Sequence, residues 1–140
     1  MNQILAAREL RSKHIEKLQA DYTRKSVLIL KNNVVGSEKN PTDLRFVCAF
    51  FDDIIKTTFS DKILLYGKQS SLDGNYCYYV IDEKGLIVKE KTIDIEEYYL
   101  LGRLVDLDVY DQKSISRDEL SCEMRKCLLC DNYAHICVRE

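Results

Sequence analysis

The sequence predicts a single α+β domain over residues 1–140, in which helices pack on an antiparallel or mixed sheet of about five strands. Three observations support this prediction. A chain of 140 residues is long enough for one domain with its own hydrophobic core. Hydrophobic residues make up 46% of it and charged residues 31%, a balance typical of folded soluble proteins. Segments with helical periodicity are combined with short strand-like runs at close intervals, as in an antiparallel meander.

The overall charge argues against some classes of partner. The net charge is -2 and the isoelectric point is about 5.8, so the chain as a whole does not attract nucleic acid or anionic membranes. A local basic pocket remains compatible with these values. No apolar run approaches the roughly 20 residues that span a bilayer, and the N-terminus lacks the apolar core of a signal peptide. We therefore expect a cytoplasmic protein.

A first helix is predicted over residues 3–21, which contain good helix formers and neither Gly nor Pro. Its apolar residues fall near one face. Arg11 interrupts this apolar stripe, and Arg8 lies about one turn before it. The two arginines could hold a phosphate together. Spacing alone favours the other interpretation, two solvated arginines on an ordinary amphipathic helix.

The next segments predict a buried strand, a polar loop and a core helix. Residues 26–30 form a short apolar run with β-branched members, and residues 32–41 are the most loop-like stretch of the chain. Asn40 can cap a helix that has Pro41 at its first position. Apolar residues then recur at the i, i+3, i+4 spacing, which predicts a core helix over residues 43–57.

An antiparallel meander is predicted next, with strands at residues 62–66, 75–81 and 86–89. Turn-forming residues at 73–74 and 82–85 separate these strands. The middle strand is rich in tyrosines, which could stack on a nucleobase. Tyrosines half-buried in a sheet are the more common case, and we prefer that interpretation.

A short helix is predicted over residues 94–101, because Asp94 and Glu97 have the spacing of a capping box. Gly102 is then predicted as its left-handed C-terminal stop. A strand over residues 103–110 follows directly.

Two carboxylates on this last strand are the first candidate functional residues. Side chains alternate between the two faces of a strand, so Asp106 and Asp108 share one face while their apolar neighbours share the other. Two like charges about 7 Å apart are unfavourable unless a cation or a proton lies between them. The pattern therefore indicates a clamp for a divalent metal. The alternative is an edge strand that acidic residues keep soluble, and periodicity alone does not separate the two.

Cysteines are concentrated in the C-terminal segment, residues 122–140. Without a secretion signal, cysteines are more often thiols or metal ligands than disulfides. Cys48 and Cys77 lie in apolar segments and are interpreted as small core residues. The tail offers a possible zinc site, and its alternative is a small subcore of reduced cysteines. The candidate zinc ligands are Cys127, Cys130, His135 and Cys137.

Several common catalytic motifs do not occur in the sequence. It contains no P-loop, no glycine-rich dinucleotide fingerprint and no His/Glu metalloprotease motif. His14 and His135 lie outside any arrangement with a nucleophile, so a hydrolase triad has little support.

A combined pattern runs through the C-terminal part of the chain. It reads Gly102-Arg103-Leu104-x-Asp106-x-Asp108-Val109, then Ser116-Arg117-x-Glu119-Leu120, then Arg125-x-Cys127-Leu128-x-Cys130-x(6)-Cys137-x-Arg139. Upstream, the chain has Ala7-Arg8-Glu9-x-Arg11 and a segment at 26–39 that ends in Gly-x-x-Lys. Together these segments resemble the CitX family, the apo-citrate lyase phosphoribosyl-dephospho-CoA transferases, also called holo-citrate lyase synthases, and the resemblance covers nearly the whole chain.

The resemblance implies a specific reaction. Such enzymes transfer the phosphoribosyl-dephospho-CoA part of 2'-(5''-triphosphoribosyl)-3'-dephospho-CoA to a serine hydroxyl of the citrate lyase acyl carrier subunit. A phosphodiester forms and pyrophosphate leaves. This phosphoryl transfer of the nucleotidyltransferase type depends on positioning and on charge neutralisation.

The resemblance also implies roles for individual residues. Asp106 and Asp108 would hold magnesium, and one of them could instead accept the serine proton as general base. Candidate residues for gripping the triphosphate and the leaving pyrophosphate are Arg103, Lys39, Arg8, Arg11 and, as a weaker candidate, Arg117.

The chain departs from the family pattern in its polar loop. Family members usually have a proline before the loop lysine, where this sequence has Val35-Gly36-Ser37-Glu38-Lys39. They commonly continue past the final Cys-x-Arg with a basic helical segment, whereas in this sequence Glu140 follows Arg139 and no such segment is present. Two alternatives to the transferase stay open. One is a non-catalytic, zinc-stabilised interaction domain, and the other is an inactive paralogue that still binds the carrier protein.

Overall fold

A computed structural model describes residues 2–33, 45–111 and 114–115, and it confirms the α+β class. None of the described helices is long and apolar enough to cross a membrane. The α-helices and strands are α1 (Asn2–Asp21), β1 (Ser26–Asn32), α2 (Arg45–Thr58), β2 (Ile63–Gln69), β3 (Tyr76–Ile81), α3 (Gly85–Tyr98), β4 (Val105–Tyr110) and β5 (Ser114–Ile115). Short 3₁₀-helices cover Ser60–Lys62 and Leu100–Leu104.

The sheet has the strand order β2-β3-β1-β4-β5, and every pair of neighbours is antiparallel. The predicted pairing of the second and third strands is confirmed. β1 lies at the centre, where Leu30 is opposite Cys77 on β3 and Leu107 on β4. Its first five residues are all buried, because helices cover both faces of the sheet. The apolar run that predicted β1 is therefore explained by burial on two sides.

The two faces of the sheet pack against different helices. We call them the α2/α3 face and the α1 face. On the α2/α3 face, side chains of α2 and α3 pack on alternate strand residues in one large apolar cluster, which includes Leu28, Phe51, Ile55, Tyr79 and Leu107. On the α1 face, a smaller cluster combines side chains of α1 with the other strand residues, among them Ile15, Leu18, Val27, Ile29 and Val80.

Helix α3 also protects the backbone of β4. The Nζ atom of Lys89 donates a hydrogen bond to the Leu107 carbonyl oxygen at 3.1 Å, and the Leu107 N–H donates to Oε2 of Glu96 at 3.1 Å. Both charged residues are buried. In the described part of the chain, β5 pairs with Val109 and Tyr110 but does not reach Leu107. Side chains of α3 thus satisfy backbone groups that would otherwise form an open sheet edge.

The prediction of a strand at residues 86–89 is wrong, because these residues form the first turn of α3. Val88, Thr92 and Ile95 are buried at the i, i+4, i+7 spacing of a helix. A short apolar run does not distinguish a strand from a buried helical turn. The predicted start of a helix at Asp94 is also wrong. Asp94 lies exposed in the interior of α3, which begins at Gly85, so the spacing of Asp94 and Glu97 does not mark the start of a helix.

Gly102 does not have the predicted left-handed conformation. It lies within the 3₁₀-helix Leu100–Leu104, and its N–H donates to the Tyr99 carbonyl oxygen at 2.9 Å. A Cβ atom at this position would collide with the backbone carbonyl of Glu96. The requirement for glycine is therefore close packing against the end of α3. Among the described glycines, the left-handed one is Gly74, with φ of 104° in the β2–β3 loop.

Candidate functional site

The acidic pair on β4 has the predicted arrangement. Asp106 and Asp108 are half-exposed on the α1 face, while Val105, Leu107 and Val109 are buried on the opposite face. This burial fixes the register of β4, because a slip of one residue would exchange the two faces.

A row of polar residues crosses the α1 face at the level of Asp106. Asp106 on β4 is opposite Lys31 on β1, Lys31 is opposite Tyr76 on β3, and Tyr76 is opposite Gln69 on β2. Directly opposed residues point to the same face, and neighbouring strands lie about 4.8 Å apart. We call these residues the polar row. It places an ammonium group between the acidic pair and the tyrosine-rich strand.

Arg103 lies at the same end of the sheet as the polar row. It is exposed on the 3₁₀-helix that leads into β4. The side chain of Asn33 donates a hydrogen bond to the Arg103 carbonyl oxygen at 3.1 Å, and the Asn33 N–H donates to the Leu104 carbonyl oxygen at 2.8 Å. These bonds join the end of β1 to the entrance of β4.

Arg8 and Arg11 of α1 both bind one carboxylate in the β2–β3 loop. Nε of Arg8 lies 3.2 Å from Oδ1 of Asp73, and a terminal nitrogen of Arg11 lies 2.8 Å from Oδ2. The Asp73 side chain is 4% exposed and that of Arg11 is 16% exposed. Burial by itself would raise the pKa of Asp73, but the hydrogen bonds and charges of Arg11 and Arg8 outweigh it and lower this pKa. Two guanidinium groups thus face one carboxylate, and one positive charge is left over.

His14 and two tyrosines form an aromatic group beside this ion pair. Nδ1 of His14 and the Tyr76 hydroxyl are 2.7 Å apart, and the His14 ring meets Tyr78 edge-on with centroids 4.6 Å apart. Burial, together with the charge of Lys17, lowers the pKa of His14, and burial raises the pKa of Tyr76. Both groups are therefore neutral near pH 7.

Two cavities lie at the β2–β3 loop. The α1-side cavity has a volume of about 710 Å³ and is formed by the first half of α1 and the loop, with Arg11, His14 and Tyr76 in its wall. The α2-side cavity has a volume of about 390 Å³ and is formed by α2, the loop and the end of β1. Their walls share Gln69, Ser70, Asn75 and Tyr76. Of the residues predicted to act on phosphate or metal, Arg11 lines one of these cavities, whereas Asp106 and Asp108 line neither.

The α2-side cavity contains protonated thiols. Cys48 is half-buried, and its Sγ donates to Oδ1 of Asn32 at 3.0 Å. Burial, helped by Cys77 and Asp52, raises the pKa of the Cys48 thiol to about 11. Burial likewise raises the pKa of Cys77. A thiol with a raised pKa is a poor nucleophile. Cys77 belongs to the apolar cluster of the α2/α3 face, as predicted, whereas Cys48 is half-buried in the cavity wall and is not part of that cluster.

The other predicted residues lie outside the described ranges. Within those ranges, no group of three or more His, Cys, Asp or Glu side chains is placed to hold a metal ion. The predictions for phosphate binding and for zinc therefore stay predictions at these positions, which are Lys39, Arg117, Cys127, Cys130, His135 and Cys137.

Sequence reasoning missed four residues of this region, namely Lys31, Asp73, Tyr76 and His14 as its hydrogen-bond partner. A signal existed for His14, because it follows Arg11 by three residues and so shares its helix face. Asp73 was interpreted as a turn former because it precedes Gly74. Its role as the common partner of two arginines required the loop to be placed against α1.

The chain matches a family of known proteins over its whole length. A family model described as "Apo-citrate lyase phosphoribosyl-dephospho-CoA transferase" matches residues 1–140. Over 145 aligned residues the chain is 34% identical to "Protein CitXG" of Leuconostoc mesenteroides subsp. cremoris, with 99% of this chain but 31% of that protein covered. It is 30% identical to "Probable apo-citrate lyase phosphoribosyl-dephospho-CoA transferase" of Streptococcus pyogenes serotype M3, with 99% of this chain and 76% of that protein covered. The chain thus spans about a third of the first relative and about three quarters of the second.

Proposed function

Because the chain belongs to the CitX family of apo-citrate lyase phosphoribosyl-dephospho-CoA transferases, we propose that it attaches this prosthetic group to a serine of the citrate lyase acyl carrier subunit. The donor is 2'-(5''-triphosphoribosyl)-3'-dephospho-CoA, and pyrophosphate is released. The observation that carries the proposal is the family match over the whole chain, residues 1–140. The relatives at 34% and 30% identity agree with it.

The reaction is a substitution at phosphorus. The serine oxygen attacks the phosphorus atom nearest the ribose, and a new P–O bond forms. The bond from this phosphorus to the next bridging oxygen breaks, so pyrophosphate leaves with the electron pair. The serine proton passes to a general base, for which we propose Asp106 or Asp108. Little covalent chemistry is required of the protein, so positioning and charge neutralisation carry the catalysis.

The acidic pair fits a magnesium ion. Magnesium in proteins is usually held by one or two carboxylates, with water and substrate phosphates completing its shell. Asp106 and Asp108 share one half-exposed face of β4, so both carboxylates can reach an ion at the surface of the sheet. When bound, magnesium would neutralise charge on the triphosphate. Apolar burial of Leu107 between the two residues keeps both carboxylates on that face.

The cations near this face would neutralise the phosphates of donor and leaving group. Lys31 is opposite Asp106, and Arg103 lies just before β4. Arg8 and Arg11 together carry one positive charge more than the Asp73 carboxylate that they share. Guanidinium groups suit phosphate because they can bind it with two parallel hydrogen bonds.

The proposal is tested by incubating the full chain with apo-carrier subunit, the triphosphoribosyl precursor and magnesium, followed by mass spectrometry of the carrier. We expect the carrier mass to increase by one prosthetic group, with one pyrophosphate released per labelled carrier. A carrier with its acceptor serine changed to alanine is the matched control. If the Streptococcus pyogenes relative labels the carrier under the same conditions and this chain does not, the proposal is wrong.

We also propose zinc binding by the tail and a cytoplasmic location. The candidate zinc ligands remain Cys127, Cys130, His135 and Cys137, because Cys-x-x-Cys followed by His and Cys has the ligand types of a zinc knuckle. Metal analysis of the purified chain, compared with a Cys127→Ser variant, tests the proposed zinc binding. Fractionation of the source cells tests the proposed cytoplasmic location.

A further inference from the structure

The α1-side cavity has two apolar walls that face solvent. α1 contributes Ala6, Ala7 and Leu10, and the β2–β3 loop contributes Leu72. Leu10 is 68% exposed and Leu72 is 63% exposed, although both residues line the cavity. Exposed apolar residues at the mouth of a cavity indicate a surface that a ligand covers.

The loop wall of this cavity is held in place by its own hydrogen bonds. The Ser71 N–H donates to Oδ1 of Asn75 at 2.8 Å, the Asp73 N–H donates to Oγ of Ser71 at 3.2 Å, and the Gly74 N–H donates to the Ser71 carbonyl at 3.2 Å. The bonds from Arg8 and Arg11 to Asp73 tie this loop to α1. The cavity is therefore preformed, which lowers the entropic cost of binding.

The charge at the cavity favours an anion. Arg8 and Arg11 share the single carboxylate of Asp73, whose pKa is lowered, so the cluster carries a net positive charge. The neutral His14 and Tyr76 beside it do not compensate that charge. Arg11 lines the cavity, so part of this cluster's positive charge lies in the cavity wall, although its guanidinium is also bound to Asp73.

The polar part of the wall suits a heterocycle. Gln3 and Gln69 supply amide groups to this wall, and Ser70 supplies a hydroxyl. Apolar walls on two sides suit a planar ring. The volume of about 710 Å³ falls in the range of roughly 300–1,000 Å³ that small-molecule sites occupy.

We propose that the α1-side cavity binds the adenosine diphosphate part of the donor, with the base between Leu10 and Leu72 and the diphosphate towards Arg11. This inference rests on the proposed function, because the dephospho-CoA group contains adenosine diphosphate. It assigns donor recognition to α1 and the β2–β3 loop, separately from the acidic pair on β4. The pantetheine arm, which has amides and methyl groups but no planar ring or phosphate of its own, is the alternative occupant that the experiment must separate.

The test is a calorimetric titration of the full chain with ADP and, separately, with pantetheine. Ala6 and Ala49 make a matched pair, since each is an exposed helical alanine that lines one cavity. Ala6→Trp fills the α1-side cavity, and Ala49→Trp fills the α2-side cavity. We expect Ala6→Trp to weaken ADP binding at least tenfold and Ala49→Trp to change it less than twofold. Circular dichroism of both variants confirms that they fold.

Three results would overturn the inference. They are ADP binding that is undetectable at millimolar concentration, ADP binding that Ala49→Trp weakens more than Ala6→Trp, and pantetheine binding that Ala6→Trp abolishes while ADP binding persists. Failure of the proposed function is distinguished by the transfer assay. If ADP binds in an Ala6-dependent way but no carrier is labelled, the site stands and the proposed reaction fails. If labelling occurs and Ala6→Trp leaves the KM for the donor unchanged, the reaction stands and the site fails.

Discussion

The two faces of the sheet differ in what covers them. On the α2/α3 face, Phe51, Ile55 and Tyr79 are fully buried in one apolar cluster. On the α1 face, the helix of 20 residues buries Ala7, Ile15 and Leu18 against the sheet. Further towards its N-terminus, α1 makes polar contacts, through His14 with Tyr76 of β3 and through Arg11 with Asp73 of the β2–β3 loop. The larger apolar cluster lies on the α2/α3 face, and the α1 face has room for charged and polar side chains.

The centre of this contrast is β1. Its side chains alternate between the faces, and burial on both sides is complete up to Leu30. At Lys31 the α1 face becomes polar, next to Asp106 and Tyr76. The change occurs where α1 has turned from apolar to polar contacts, so the polar row lies where the apolar cover ends.

The largest effect on stability is expected on the α2/α3 face. Phe51→Ala should lower the free energy of unfolding by about 3–5 kcal/mol, because it removes a fully buried ring and leaves a cavity. Urea unfolding measures this change. The neighbouring Phe50 is 41% exposed and provides the control, and Phe50→Ala should cost less than about 1.5 kcal/mol. Equal costs for the two variants would contradict the assignment of the core to this face.

Two glycines test how rigid each face is. Gly102→Ala should destabilise the protein by about 3 kcal/mol, because the added methyl group meets the backbone carbonyl of Glu96, which cannot rotate away. Gly67→Ala, on the α1 face, meets the hydroxyl end of the Tyr78 ring and should cost about 1 kcal/mol. Thermal and urea unfolding compare the two. If Gly67→Ala lowered the free energy of unfolding more than Gly102→Ala, the surroundings of Gly67 would be the more rigid of the two, contrary to this prediction.

The acidic pair tests whether the α1 face carries the chemistry. Asp106→Asn should reduce carrier labelling by roughly 100-fold or more, since a base or a metal ligand would lose its charge while its size is kept. Asp94→Asn, at an exposed position of α3, is the charge-matched control and should label the carrier at the wild-type rate. Labelling by Asp106→Asn within threefold of wild type would exclude Asp106 from the mechanism.

The smallest effect is expected from the pH dependence of the stability that Asp73 contributes through its ion pairs with Arg8 and Arg11. The pKa of Asp73 is lowered from its usual value of 3.8, so its ionised form stabilises the folded state. This contribution is fully present above that unfolded-state pKa and is lost as the pH falls through the lower folded-state pKa. The free energy of unfolding of the wild type should therefore exceed that of Asp73→Asn at neutral pH, and this difference should disappear in acid. Urea unfolding at pH 6 and at stepwise lower pH measures this difference. If the difference between the two proteins did not change with pH, the ion-paired state of Asp73 would be contradicted.

Some elements followed directly from local pattern. The alternation of β4 predicted which residues share the apolar face and which share the acidic face, because a strand has a fixed period of two. The spacing of apolar residues predicted α1 and α2 for the same kind of reason. Leu86-Ile87-Val88-Lys89 gave the wrong prediction, since four residues do not contain enough of a period to tell a strand from a helical turn.

The sequence by itself determined the α+β class, the shared face of Asp106 and Asp108, and the family, because each depends on local order along the chain. The tertiary structure decided that Arg8 and Arg11 share Asp73, about 60 residues away in the sequence, and that Lys31 lies between Asp106 and Tyr76. It also decided that Gly102 packs against Glu96. These contacts join segments that are distant in sequence, and their formation depends on the register of the sheet and the placement of α1, which no local pattern specifies.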